Sequence, residues 1–227
     1  MKVTIVYDNE VYPVREPKEK VSNGVYKEAL TADWGFSCLV EAENTPRILF
    51  DTGTNGSILL SNMEKLGIDP GSIDEVFISH PHFDHIGGLS AFLNVKSDVE
   101  VYVPASLRGV RGAKEVISVS KPLKIHENVF STGELDGIEQ SMAIKTDKGI
   151  VLIVGCSHPE MAHILKAASQ FGKVYAIIGG MHGFSEFELF KDLELICPAH
   201  CTAHKAQIKS RYPGKYIGAG AGKVIEI

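Results

Sequence analysis

Basic charge, disulfide-type cysteine spacing and long apolar runs are all scarce in this 227-residue chain, and each scarcity removes a class of function. Lysine and arginine total 23 against 28 aspartates and glutamates, for a net charge of -5. That balance offers no electrostatic footprint for nucleic acid. The four cysteines, Cys38, Cys156, Cys197 and Cys201, do not fall into a disulfide framework. The longest apolar runs, "GIVLIVG" and "VYAIIGG", are far below the ~20 residues a bilayer requires. Met1-Lys2 leads straight into "VTIVYD" with no secretory-signal pattern, so the expected setting is the cytoplasm, with reduced thiols. The expected partner is a small molecule rather than nucleic acid or a membrane. An anionic substrate would then need positive charge supplied locally, by a metal or by a few basic residues.

What is present is an ordinary globular composition, 44% hydrophobic and 22% charged, and the expectation is one domain spanning residues 1–227. Short β-branched runs ended by Gly, Pro, Asp or Asn recur from "KVTIVYD" through "FSCLVEA", "RILFDTG", "EVFISH", "VEVYVP", "SMAIKT", "GIVLIVG", "KVYAIIGG" and "LELICPAH" to "KVIEI". Each reads as a strand. Helical spacing marks "NGSILLSNMEKLGI", with Gly67 as its C-terminal stop, and "HPEMAHILKAASQFG", with Pro159 near its start and Gly172 at its end. A third helix follows Cys201, with Thr202 as expected N-cap. Adjacent strands such as "FSCLVEA" and "RILFDTG" imply hairpins, so mixed sheets covered by helices fit better than a purely parallel sheet. Two connections, Asn9 to Asp33 and Pro104 to Lys124, show no periodicity and read as long loops.

The chemistry concentrates in "FISHPHFDHIGGL", where a strand-like run leads into His80, His82, Asp84 and His85. Three of the chain's 9 histidines therefore lie within six positions. Imidazole nitrogen and carboxylate oxygen are good ligands for Zn²⁺ or Fe²⁺. Capping a helix needs one or two polar residues, not four ligand types in a fixed string. Gly87 and Gly88 then permit a sharp turn or close backbone approach.

This H-x-H-x-D-H string after a strand resembles the metallo-β-lactamase superfamily. "LFDTGTNG" and "AHCT" resemble that superfamily's upstream aspartate and late histidine motifs. More narrowly, "DWGFSCLVE", "GCSHPE", "GGMHGF" and "CPAHCT" resemble the branch containing dihydropterin ribofuranosyl-aminobenzene phosphate synthases and related hydrolases. The resemblance implies an α+β fold, a four-layer αββα sandwich of two mixed β-sheets with a metal site at one edge. It implies that His80 and His82 hold one metal, that Asp84, His85 and His200 hold a second, and that Asp51 accepts an N–H from one of the imidazoles. One or two Zn²⁺ ions are implied, with Fe²⁺ or Mn²⁺ as alternatives.

The pattern departs from the superfamily at its third motif. Cys156 stands where a bridging aspartate is expected, as a ligand or as a small residue lining the site, and His158 is the candidate for a missing imidazole. His182, after a strand and two glycines, reads as a cleft group that binds substrate oxygen or donates a proton, or else as a surface loop histidine. Asp84 doubles as a candidate proton acceptor. Trp34 either packs at a strand start or stacks on a planar substrate ring. Asp8-Asn9 read as turn residues, Cys197 and Cys201 as buried thiols, His204 as a solvent or supporting group, and His126 and His163 as surface residues without partners. Lys18, Lys20, Lys27, Arg108 and Arg111 are loop cations that could meet a phosphate.

Three functions follow. The first is a metal-dependent hydrolase of ester or phosphoester bonds, or pterin-related synthase chemistry on a phosphorylated ribosyl-aminobenzene. The second is an iron-dependent redox protein, and the third a non-catalytic metabolite sensor.

Overall fold

A computed structural model describes residues 1–12 and 29–227. Lys18, Lys20 and Lys27 lie outside the described residues. Along the chain run β1 (Lys2–Tyr7), β2 (Ser37–Glu41), β3 (Ile48–Phe50), α1 (Gly56–Lys65), β4 (Glu75–Phe77), α2 (Phe83–Ile86), α3 (Leu89–Val95), β5 (Glu100–Pro104) and β6 (Glu115–Val119). They are followed by β7 (Leu123–Lys124), β8 (Val129–Ser131), β9 (Met142–Thr146), β10 (Gly149–Val154), α4 (Met161–Ser169), β11 (Val174–Gly180), β12 (Leu195–Ala199), α5 (Lys205–Arg211) and β13 (Val224–Glu226). No described helix is long and apolar enough to cross a membrane.

The strands form two mixed sheets among the described residues, a seven-stranded one ordered β13-β1-β2-β3-β4-β5-β6 and a six-stranded one ordered β12-β11-β10-β9-β8-β7. Strand side chains alternate between faces, and both faces of the central strands are apolar. In β10, Val151 and Ile153 enter the core between the sheets, while Ile150, Leu152 and Val154 face α4 and α5. In β3, Ile48 and Phe50 point inward and Leu49 points to α1 and α3. Phe50 stacks on Phe77 at 5.4 Å, joining neighbouring strands inside the sandwich. Helices on both outer faces complete the expected αββα layering.

α1 begins where the Asn55 side chain accepts from the amides of Ser57 and Ile58. It ends as the pattern predicts: Gly67 has φ 70°, with Gly67 N–H on Glu64 O and Ile68 N–H on Met63 O.

Three local expectations change. The connection after Pro104 is not all loop, because Glu115–Val119 pairs in parallel with β5 as an edge strand. Its mostly exposed side chains give weak periodicity, as edge strands do. β7 and β8, of two and three residues, are too short to leave a pattern. Thr202 does not cap α5. His204 occupies the N-cap without a capping bond, while the Thr202 hydroxyl donates to Ala199 O and accepts from Met181 N–H.

The site follows from strand direction. β3 to β6 are mutually parallel, as are β10, β11 and β12. The carboxyl ends of parallel strands, together with that of β1, bring loop residues from remote parts of the chain to one edge of the sandwich.

Candidate metal centre

The segment after β4 reaches the edge as Ser79-His80 and opens α2, with His82 at its N-cap position but making no capping hydrogen bond. His82 therefore does not serve as a helix cap, in keeping with the reading of this string as ligands. Gly87 lets α2 pack on the loop after β3: a Cβ there would lie 2.1 Å from Thr54 O. Into the space in front of α2 come Cys156 and His158 after β10, His182 after β11 and His200 after β12. His80 and His82 rings lie 4.6 Å apart, and each is within 4.7 Å of the His158 ring.

The orientation of each buried imidazole can be deduced from its partners. Asp51 is fully buried and accepts from Ser79 N–H and from the Ser79 hydroxyl, both at 2.7 Å. The Ser79 oxygen, its hydrogen committed, accepts from His80 Nδ1 at 2.9 Å. Asp51 Oδ2 also receives His85 Nδ1–H at 2.7 Å. On the far wall, Asn9 is fixed at both ends. Its amide group donates to His200 O at 3.1 Å, and its oxygen accepts from Gly35 N–H at 3.1 Å and from His200 Nδ1 at 2.9 Å. His80, His85 and His200 therefore each place their proton outward and aim an Nε2 lone pair into the site.

Those lone pairs face other polar atoms of the site. His200 Nε2 lies 3.1 Å from Asp84 Oδ2, and His80 Nε2 lies 3.2 Å from His158 Nε2. A bare carboxylate facing an imidazole lone pair in a buried site is repulsive unless a proton or a cation lies between them. Asp84, His85, Cys156 and His200 each offer one donor atom within 4.8 Å of one another. So do the sets His80-Cys156-His158, His80-His82-Asp84 and Cys156-His182-Cys201. This nitrogen, oxygen and sulfur donor set fits a divalent metal of the zinc or iron kind.

Electrostatics agree for His80, His158 and His200, each of which is held below the usual histidine range. Burial, with the neighbouring His85, His158 and His82, holds the His80 pKa far below the usual histidine range. Burial and the adjacent His182, His82 and His85 push His158 down to about 4. Burial would raise Asp84, but its surroundings at His200 and His85 hold it below the usual carboxylate range. Burial opposes a charge on His85, yet the Asp51 carboxylate prevails and raises it.

Four site residues are held in the left-handed region: Asp51 (φ 53°), Ser157 (φ 59°), His182 (φ 37°) and His200 (φ 44°). Such backbone costs of order 1–3 kcal/mol each for a non-glycine residue and gathers at functional sites.

Several further residues support the site, and of these Glu139 carries no sequence signal of its own. Asp8 and Asn9 are not plain turn residues: buried Asp8 accepts from His200 N–H, and Asn9 orients the His200 ring. Burial raises Asp8 to about 6. Glu139 is buried below the β10–α4 turn. It accepts N–H bonds from Gly155, Cys156 and Ser157 on Oε1 and from His158 on Oε2, and so shapes the segment bearing two candidate donors. Trp34 is 55% exposed, donates from Nε1 to Asp84 Oδ2 at 2.9 Å and tilts over His200 at 4.9 Å. Cys201 Sγ lies 3.2 Å from Cys156 Sγ.

Away from the site, His204 packs near Phe187 and exposed His163 faces Asp136. His126 is not unpartnered, since its Nε2 lies 2.7 Å from Glu75 Oε1. Cys38 and Cys197 are buried in the sandwich core, and Arg108 and Arg111 are exposed.

Two mixed sheets, outer helices and a histidine-aspartate-cysteine centre at the edge define a metal-dependent hydrolase fold. The chain belongs to the metallo-beta-lactamase superfamily, whose family model matches residues 33–155. The 7,8-dihydropterin-6-methyl-4-(beta-D-ribofuranosyl)-aminobenzene-5'-phosphate synthase of Methanocaldococcus jannaschii is 28% identical over 88% of this chain and 92% of its own length. The crystal structure of Tm1679, a metal-dependent hydrolase of the beta-lactamase superfamily, aligns over 100% of this chain and 99% of its own, with TM-score 0.76 and 25% identity. Zn(2+)-bound PqqB from Methylobacterium extorquens shares the fold at TM-score 0.62 and 12% identity, with 100% of both chains covered.

Proposed function

We propose that this chain is a metal-dependent hydrolase acting on an ester or phosphoester bond of a small molecule, with one or two Zn²⁺ ions as its cofactor. The observation that carries the reading is the 3.1 Å approach of His200 Nε2 to Asp84 Oδ2, two acceptors that a cation reconciles. His80, His82 and His158 would hold one position, and Asp84, His85, His200 and Cys156 the other. When bound, the metal supplies a nucleophile at neutral pH by acidifying water and polarises the bond under attack.

The chain's own residues do the rest. Asp84, ionised at neutral pH, would be the acceptor for the proton of the attacking water. His182 is exposed at the mouth, with its ring 4.6 Å from that of His158, and burial lowers its pKa, so it is neutral at pH 7. It can donate a hydrogen bond to the departing oxygen. Asp51, Ser79 and Asn9 keep three imidazoles in the protonation state that binding needs.

A second reading, synthase chemistry on a pterin-related substrate and a phosphorylated ribosyl-aminobenzene, is favoured by the likeness to the M. jannaschii enzyme. The exposed Trp34 indole beside Asp84 offers a face for a planar ring.

Elemental analysis of the purified chain, combined with a screen of chromogenic esters and phosphodiesters and of the pterin condensation, tests both readings. Stoichiometric metal and hydrolysis that His82→Ala abolishes support the first. Condensation without hydrolysis supports the second. Lack of stoichiometric metal after loading, or turnover unchanged in His82→Ala, overturns both.

A further inference from the structure

Cys156 is 1% exposed and its sulfur lies at the meeting point of the donor groups, 3.1 Å from His85 Nε2 and within 4.8 Å of the donors of His80, His158, Asp84 and His200. Cys201, from the turn after β12, brings a second sulfur to within 3.2 Å of the first. The approach is built into the backbone. β11 ends in Gly180, where a Cβ would lie 2.7 Å from Cys201 Sγ and 2.4 Å from Gly155 O, so a side chain there would drive the two sulfur-bearing segments apart. The His182 amide donates its N–H to Cys201 Sγ from 3.4 Å, a contact that fixes where this sulfur sits.

We propose that Cys201 joins Cys156 as a second sulfur donor to the bound metal, which makes the centre selective for thiophilic divalent ions such as Zn²⁺ and Fe²⁺ over Mn²⁺ and Mg²⁺. The proposal rests on the metal-dependent reading above and extends it to a ligand and a metal class. Thiolate is a soft donor, whereas an all-imidazole and carboxylate centre also accepts harder ions. On binding, each thiol gives its proton to solvent and its sulfur lone pair to the cation. No electron transfer is involved.

The test uses the full chain stripped by a chelator and reloaded with Co²⁺, followed by optical absorption. Expected is a near-ultraviolet sulfur-to-cobalt charge-transfer band that weakens in Cys201→Ser, disappears in the Cys156→Ser/Cys201→Ser double variant and persists in Cys197→Ser. In competition dialysis, Cys201→Ser is expected to lose about tenfold or more in preference for Zn²⁺ over Mn²⁺, the size of loss typical of a disturbed metal environment. Cobalt bound with visible bands but no sulfur band, or a band unchanged in Cys201→Ser, overturns this inference and leaves the hydrolase reading standing. Failure to bind cobalt at all overturns both. Circular dichroism of each variant separates loss of the band from loss of the fold.

Discussion

Asp51 Oδ2 and His85 Nδ1 lie 2.7 Å apart with both side chains fully buried. The same carboxylate also takes both donors of Ser79, whose hydroxyl fixes His80. One acid thus sets the protonation state of two candidate metal-binding imidazoles.

Asp51→Asn should therefore weaken metal binding by about 10–100-fold, since partners behind the ligands typically carry that much affinity. Chelator competition on the variant measures it. An affinity within twofold of the parent chain would show that the carboxylate's charge is irrelevant to the centre.

Glu139 accepts four backbone N–H groups from Gly155 to His158. Glu139→Gln keeps the shape but turns an NH₂ toward one of those amides. A buried donor left unpaired costs about 1–3 kcal/mol. The denaturation midpoint should fall accordingly, and metal affinity should fall with it because Cys156 and His158 ride on that turn.

The metal-free chain should be acid-sensitive. His158 takes up its proton at about 4 in the folded chain but near 6.5 when unfolded. Between those values the unfolded chain binds more protons, so stability is full above about pH 6.5 and declines as pH drops through about 4. His80 is shifted in the same direction. Thermal melts from pH 7 to pH 4 read the slope, and His158→Gln should flatten it. A parent chain whose melting temperature holds constant over that range contradicts the burial of neutral imidazoles.

Trp34 is the chain's one tryptophan, and its indole donates to Asp84. Zn²⁺ added to the stripped chain should change its fluorescence with a saturating profile, and Asp84→Asn should blunt the change. Emission that stays constant while dialysis shows metal bound would place the indole outside the centre's influence.

The local cluster was legible because its chemistry is local. His80, His82, Asp84 and His85 follow one short strand, so a single turn is enough to bring them together whatever the rest of the chain does. The unbroken apolar runs in "GIVLIVG" and "RILFDTG" likewise give buried strands by themselves. Edge strands such as Glu115–Val119 left little trace, because only one flank is paired and most side chains face solvent. The partner of His126 escaped notice for a different reason: Glu75 is 51 residues away.

By itself, then, the amino-acid order determined which donor atoms exist, the strand and helix rhythm, and the grouping of four ligands on one turn. Only the tertiary structure decided which remote groups face them. Asn9 meets His200 across 191 residues, and Cys156 meets His85 across 71. Such meetings depend on which strands pair and on where their carboxyl ends emerge, and these are set by burial of the whole sandwich rather than by any short segment. Asn9 and Glu139 have ordinary sequence surroundings, and Cys201, although inside the "AHCT" motif, reads there only as a buried thiol. They acquire a role only when the closed sheets bring them to the common edge.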